Sequence, residues 1–277
     1  MTASRDHVVR ALEGLAELRA CVDLQEEVWG RGFNERVGVA LLKIGARLGG
    51  VTGGAFGSGG RLVAFVFGLT GIEGGRPVHW SHMLAVRPGL RDGGLGRRLK
   101  AWQREELLER GVTRARWTFD PLESRNGWLN LGRLGAVVRE YVEDMYGESN
   151  SPRHRGVGTD RFVATWDMDS DRVRRRLAGT ERPPDASDLT DVPSALGVEV
   201  VDGVPHPSPS GSPPAGGRFL VSVPLDIQGI VATDPGLGRR WREATRAVLA
   251  PALAEGGEVR ELVRGTEESA AYLVVMP

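Results

Sequence analysis

Three observations predict an α/β (α+β) fold. Strand-like and helix-like segments alternate over roughly the first 170 residues, with antiparallel hairpins mixed in. Glycine, 39 of 277 residues, falls at nearly every junction between them. With 40% apolar and 26% charged residues, the chain has the composition of a folded globular protein. Its 36 basic and 36 acidic residues cancel, which argues against a general nucleic-acid binder, because neutralising phosphates takes a surplus of cations. The basic side is lopsided: Lys43 and Lys100 are the two lysines, and the other 34 basic residues are arginine. We read that bias first as genomic composition.

The elements follow in order. Residues 7–12 read as a first strand through Val8 and Val9. Leu18, Cys21, Val22, Gln25, Val28 and Trp29 share one helical face, and Gly30 and Gly32 stop that helix. Residues 37–48 form a second helix, closed by Gly49 and Gly50. Strands at 53–58 and 62–69 turn about Gly59 and Gly60, and 78–86 is a further pleated strand. Leu95, Leu99 and Trp102 mark a helix over 94–110, with Gly111 as its stop. A strand at 112–119, a short helix at 126–134 ended by Gly135, and strands at 137–145 and 162–168 complete the section. Residues 203–217 hold five Pro and three Ser among glycines and read as a loop. Beyond it come strands at 219–223, 259–263 and 272–276 and a helix at 241–253. The expected division is one domain over 1–175, a polar linker over 176–217 and a small α+β extension over 218–277.

The segment that carries chemistry runs from Ser81 to Lys100. A strand enters a glycine-rich turn that opens directly into a helix. The backbone N–H groups of such a turn, with the positive end of the helix dipole, suit a pyrophosphate. Gly93, Gly94 and Gly96 permit close approach of phosphate oxygens, and Arg91, Arg97 and Arg98 are available for charge-assisted contacts. A Walker loop is excluded because Gly96 is followed by Arg97-Arg98, and a Rossmann fingerprint because its third glycine would fall at Leu99.

The hexad Arg91-Asp92-Gly93-Gly94-Leu95-Gly96, entered from Leu84-Ala85-Val86-Arg87-Pro88, resembles the acyl-CoA turn of the GNAT acyltransferase superfamily. Asn126 with Leu131-Gly132-Arg133-Leu134-Gly135-Ala136 resembles that family's second block. Leu24-Gln25-Glu26-Glu27-Val28-Trp29-Gly30 and Trp117-Thr118-Phe119-Asp120-Pro121-Leu122 resemble a bacterial subgroup of predicted GNAT acyltransferases that carries a C-terminal extension. The resemblance covers about residues 7–168. It implies a mixed, mostly antiparallel central sheet flanked by helices, in which the strand after the turn's helix splays away to admit a pantetheine arm. It further implies that Leu84, Ala85, Val86, Arg91, Asp92, Gly93, Gly94, Leu95, Gly96, Arg97 and Asn126 bind acetyl-CoA or another acyl-CoA.

The reaction so implied is direct attack of an amine on the thioester, in a ternary complex and with no covalent relay. His82, on the strand before the turn, is the first candidate for general base, while His79 belongs to the opposite face of a regular strand. Asp120 and Glu123 follow the next strand and are candidates to act through water, or else cap the helix that holds Asn126. Family members often place a thiolate-protonating Tyr where this chain has Leu131, so Tyr141 and Tyr146 are substitutes. Trp117, Trp128 and Trp166 are expected to pack. Lone Cys21 excludes an internal disulfide and a cysteine-rich zinc site, and no metal is expected. Neither an apolar leader nor an ~18-residue apolar run is visible, so a cytoplasmic protein is expected, with a small-molecule amine as partner, no nucleic acid or membrane, and a possible homodimer. A non-enzymatic acyl-CoA binder and a protein N-acetyltransferase are the alternatives.

Overall fold

The computed structural model describes residues 7–147, 156–211, 213–214, 216–265 and 267–277. They group into two compact units, one running to Trp117 and including Asp167–Ser170, the other from Thr118 onward and including Asp171–Pro277. No described helix is long and apolar enough to cross a membrane.

In the first unit β1 (Val8–Ala11), β2 (Val51–Phe56), β3 (Leu62–Glu73) and β4 (Arg76–Val86) pair antiparallel in chain order, and β5 (Arg114–Phe119) joins β4 in parallel. Helices α1 (Gly14–Trp29) and α2 (Val39–Arg47) bury Leu18, Cys21, Leu24 and Leu42 with Phe65, Phe67, Met83 and Ala85 of the sheet. Gln25 ties the loop between these helices down from both ends of its amide, donating to the Val37 carbonyl at 3.0 Å and accepting the Val37 N–H at 2.7 Å. Helix α3 (Leu95–Glu109) packs on β2, where a Cβ at Gly53 would lie 2.0 Å from the Trp102 ring. Glycine at 53 therefore sets how closely α3 lies on the sheet. Gly30, at φ 105°, ends α1 as the sequence indicates.

In the second unit the strand order is β7-β6-β11-β12-β10-β8-β9, from β6 (Val137–Val142), β7 (Arg161–Asp167), β8 (Ser194–Val201), β9 (Val204–Pro209), β10 (Gly217–Pro224), β11 (Glu258–Arg264) and β12 (Ser269–Met276). The β8/β10 pair is parallel and the others recorded in this unit are antiparallel. The mixed, mostly antiparallel sheet flanked by helices is thus the observed arrangement. A short α4 (Ser124–Gly127) runs into a π-helical stretch, Trp128–Arg133, where one continuous helix was expected. The expected strand over 137–145 ends at Val142, because the chain turns at Asp144, φ 41°.

Two expectations for the C-terminal third are corrected. Residues 204–209, read as loop, form β9, and Pro205, Pro207 and Pro209 recur at every second position of this outermost strand. Alternate residues aim their N–H positions at the same side, so a strand at the edge of the sheet tolerates this pattern and a central one does not. Helices α5 (Asp171–Ala178) and α6 (Ile227–Thr233) went unpredicted, since half of the first is arginine and the second is short. Helix α7 (Pro235–Ala254) begins six residues before the expected start at Trp241, because Asp234 accepts the Leu237 N–H at 2.9 Å and Pro235 fills the first position.

Candidate active site

Strand β4 carries the candidate site of the first unit at two places, its middle and its exit. At the exit, Pro88–Leu90 makes one 3₁₀ turn, closed by the Arg91 N–H on the Pro88 carbonyl at 3.3 Å. Asp92 (φ 64°) and Gly94 (φ 81°) then adopt left-handed conformations, and Gly94 caps α3. That conformation costs an ordinary residue roughly 1–2 kcal/mol, which glycine avoids and Asp tolerates better than most. Gly94 brings no side chain to cap α3, and no acid lies in the helix's first turn. The first N–H groups of a helix lack intrahelical acceptors and favour an anion, and around them Asp92, Gly93 and Gly94 are exposed and Gly96 and Arg97 half-buried. Arg91 turns its Nε back to the Val86 carbonyl at 3.3 Å. Arg98 donates to the His7 carbonyl at 2.6 Å, anchoring α3, and Arg87 pairs with Glu27. Of the expected cofactor positions on β4 and α3, Leu84 and Val86 are half-buried and Ala85 and Leu95 buried.

In the middle of β4 both neighbouring strands change their relation to it. Toward β5 the ladder consists of His79↔Ala115 and Trp80↔Arg116, and no later pair is recorded among the described residues. Toward β3, Leu69 opposes Trp80 while Phe67 opposes Met83, so β4 holds one extra residue. The strands fork at the bulge. Ser81 lies on the α3 side, with its Oγ 3.1 Å from Gln103 Oε1. His82 lies on the other face, exposed, edge-on to the Phe67 ring with centroids 6.2 Å apart. Its apolar surroundings lower the imidazole's pKa and the Glu35 carboxylate opposes them, so the ring is neutral at neutral pH.

His79 is on the opposite face from His82, as the alternation predicts, and is fully buried. Burial, with Lys100 and Arg110 nearby, pushes its pKa down to about 3. Thr70 Oγ1 donates to the Gly49 carbonyl at 2.8 Å, which leaves its lone pairs for His79 Nδ1–H at 3.0 Å. Gln103 Nε2–H then donates to His79 Nε2 at 3.0 Å. Lys100 Nζ continues the chain, 3.0 Å from Gln103 Oε1 and 2.9 Å from Ser81 Oγ, and stacks 3.7 Å over the Trp117 ring. Sequence reasoning missed Ser81, Lys100 and Gln103. The available signals were an amide on the stripe between Leu99 and Leu107, and a lysine in a chain that almost always uses arginine.

The other candidates belong to the second unit. Asp120 accepts the Leu122 N–H at 2.8 Å and Arg242 Nη2 at 2.7 Å. Glu123 accepts from Gln228 Nε2 at 2.8 Å. Tyr141 donates to Asp160 at 2.5 Å, and burial followed by that carboxylate raises its pKa. Asp160 also takes both ends of Arg246, at 2.8 and 2.6 Å, and these bonds hold its pKa low against burial. Tyr146 Oη shares a hydrogen bond with Thr118 Oγ1 at 2.8 Å. Asn126 is exposed on α4. Leu131 is fully buried. Trp117 and Trp166 are buried and Trp128 is 38% exposed.

No family model matches this chain, and neither does any curated protein. Solved structures similar to it include a ribosomal-protein alanine N-acetyltransferase from Escherichia coli, 16% identical with a TM-score of 0.47, covering 59% of this chain and 95% of its own. Another is yncA of Salmonella typhimurium, solved with its cofactor acetyl-CoA, at 14% identity and TM-score 0.47 over 60% of this chain and 96% of its own. A third, an acetyltransferase of the GNAT family from Streptococcus pneumoniae, is 16% identical with a TM-score of 0.47 over 57% and 98%.

Proposed function

We propose that the protein is an acyl-CoA-dependent N-acyltransferase that moves an acetyl or related acyl group to the amine of a small molecule. The observation that carries this reading is the double character of β4: one strand leads into a helix that starts at Gly94 after a glycine-rich turn and, further back, runs on past Trp80↔Arg116, the last recorded pair of its ladder with β5. An anionic head seated on the turn can send a thin, extended arm along the unpaired edge of β4 to Ser81–His82. Backbone N–H groups of that edge are then available to the thioester oxygen as it becomes an oxyanion.

In this reading Gly94, Leu95 and Gly96 supply the N–H groups for the pyrophosphate, with Arg91 and Arg97 at its margin. Leu84, Ala85 and Val86 line the arm. His82 takes a proton from the incoming ammonium, so that a neutral amine attacks the thioester carbon directly. Asp120, Glu123 and Tyr141 act on the protein's own partners, through Arg242, Gln228 and Asp160, and we assign them to holding the second unit. Incubating the protein with a metabolite extract and isotope-labelled acetyl-CoA, then reading products by mass spectrometry, tests the proposal. A labelled amide of a small amine is expected. Label confined to protein amino groups instead favours the protein N-acetyltransferase, and tight binding without any labelled product favours the binder.

A further inference from the structure

Arginine serves almost every basic position of this chain, buried ones included. Arg161, Arg176 and Arg242 are each at most 6% exposed, and each meets a carboxylate: Asp120 for Arg161 and Arg242, Glu261 for Arg176. An arginine keeps its charge under all ordinary conditions, whereas a buried lysine can give its charge up. At position 100 the chain keeps lysine, 2% exposed. The amine's place is specific. Trp80↔Arg116 is the last pair of the β4/β5 ladder, and Ser81 and Trp117 are the next residues on the two strands. Lys100 Nζ touches both, 2.9 Å from Ser81 Oγ and 3.7 Å from the Trp117 ring centroid. It therefore sits at the vertex of the fork, on the face of β4 opposite His82.

We propose that Ser81 and Lys100 form a proton relay at this vertex, which carries the surplus proton of the attacking amine to the departing thiolate. The proposal rests on the acyltransferase reading. Attack forms the N–C bond and leaves an oxyanion on carbon and an extra proton on nitrogen. That proton passes to Ser81 Oγ as the Ser81 hydroxyl proton passes to Lys100 Nζ. Collapse re-forms the carbonyl and breaks the C–S bond, with the electron pair leaving on sulfur. Ser81 then gives a proton to the thiolate and is refilled from the Lys100 ammonium. Amide, thiol, hydroxyl and neutral amine remain, so nothing is consumed beyond amine and thioester. Ser81 is the group placed to touch the reacting atoms, and Lys100 acts through it. The Trp117 face steadies the transient ammonium.

Burial lowers the Lys100 pKa well below its ordinary value, so its ammonium releases a proton more readily than that of an exposed lysine. Among the described residues, the groups facing it are His79 of β4, through Gln103, and Arg104 of α3, turned to the Met168 carbonyl. Glu73 of β3 and Arg10 of β1 are turned away from it, to Arg116 and to Glu17 of α1. β2 contributes no titratable residue.

Because Lys43 and Lys100 are the only lysines, protein labelled with ¹³C at lysine Cε gives two side-chain titrations. The signal that Lys100→Met removes is expected to titrate well below the ordinary ~10.4 of a lysine and to respond to acetyl-CoA. An ordinary titration of that signal overturns the relay. In kinetics with acetyl-CoA and the best amine of a panel, Lys100→Met should lower kcat about 100-fold or more, change KM for acetyl-CoA less than ~2-fold and remove a limb of the pH profile. Ser81→Ala, which leaves the amine in place, should do the same; kcat within ~2-fold of wild type in either soluble variant overturns the proposal. If acetyl-CoA neither binds nor turns over with the wild type, the acyltransferase reading has failed, whatever the lysine titration shows.

Discussion

Gly96→Glu separates the two roles assigned to the start of α3. Gly96 is the second residue of that helix, whose first turn contains no acid and whose N-cap, Gly94, has no side chain. Replacing a helical glycine by a good helix former is worth about 0.5–1 kcal/mol. A carboxylate in the first turn adds about 0.3–1 kcal/mol through the helix dipole. The variant should therefore be about 1–2 kcal/mol more stable, read as a higher denaturant midpoint at unchanged slope. A pyrophosphate on the same N–H groups meets that carboxylate at close range. Each pair of like unit charges about 4 Å apart costs from ~1 kcal/mol at the dielectric of water to ~4 kcal/mol at the effective value near a protein surface. Acetyl-CoA affinity should then fall at least ~10-fold, about 1.4 kcal/mol, in a calorimetric titration. Stability and affinity move in opposite directions. Unchanged affinity in a stabilised variant would refute the assignment of the turn to the pyrophosphate, and a destabilised variant would refute the helix-capping account itself.

Other consequences are equally accessible. The folded pKa of His79, about 3, lies below the ~6.5 of an exposed imidazole, so its contribution is complete above pH ~6.5 and is lost as pH falls toward 3, at about 1.4 kcal/mol per unit. Urea midpoints of wild type and His79→Asn from pH 7 to 4 should converge by that slope, and parallel curves would contradict the buried neutral imidazole. Cys21 is fully buried and its thiol is pushed up to about 12, so a thiol reagent at pH 8 should label it only on unfolding. Rapid labelling of the native protein would contradict that burial. Arg242→Ala leaves Asp120 without its closest cation in a site 12% exposed and should cost about 3–5 kcal/mol in chemical denaturation. A loss below ~1 kcal/mol would mean that the pair is not structural.

The glycine turn and the helix behind it were legible because left-handed positions and helix starts leave local marks, as at Gly94. The helical face of Leu18, Cys21 and Gln25 was legible for the same reason. What escaped depended on partners distant in the chain. A bulge at Ser81–His82 exists only in register with Phe67 and Leu69, which no local pattern encodes. Lys100 and Gln103 are buried on α3 because His79 and Ser81 of β4 supply their hydrogen bonds. Asp120 read as a capping or catalytic carboxylate, and its closest cation, Arg242, lies on α7, 122 residues away. The prolines of β9 suggested a loop until the strand order placed them at an edge.

Thiol release tests the central claim most directly. Purified protein is mixed with acetyl-CoA and small primary amines, and free CoA thiol and acetylated amine are measured together. The account expects release that needs both protein and amine, with one amide formed per thiol freed. Thiol release indifferent to amine, or a protein that binds acetyl-CoA and acetylates no amine offered, contradicts it.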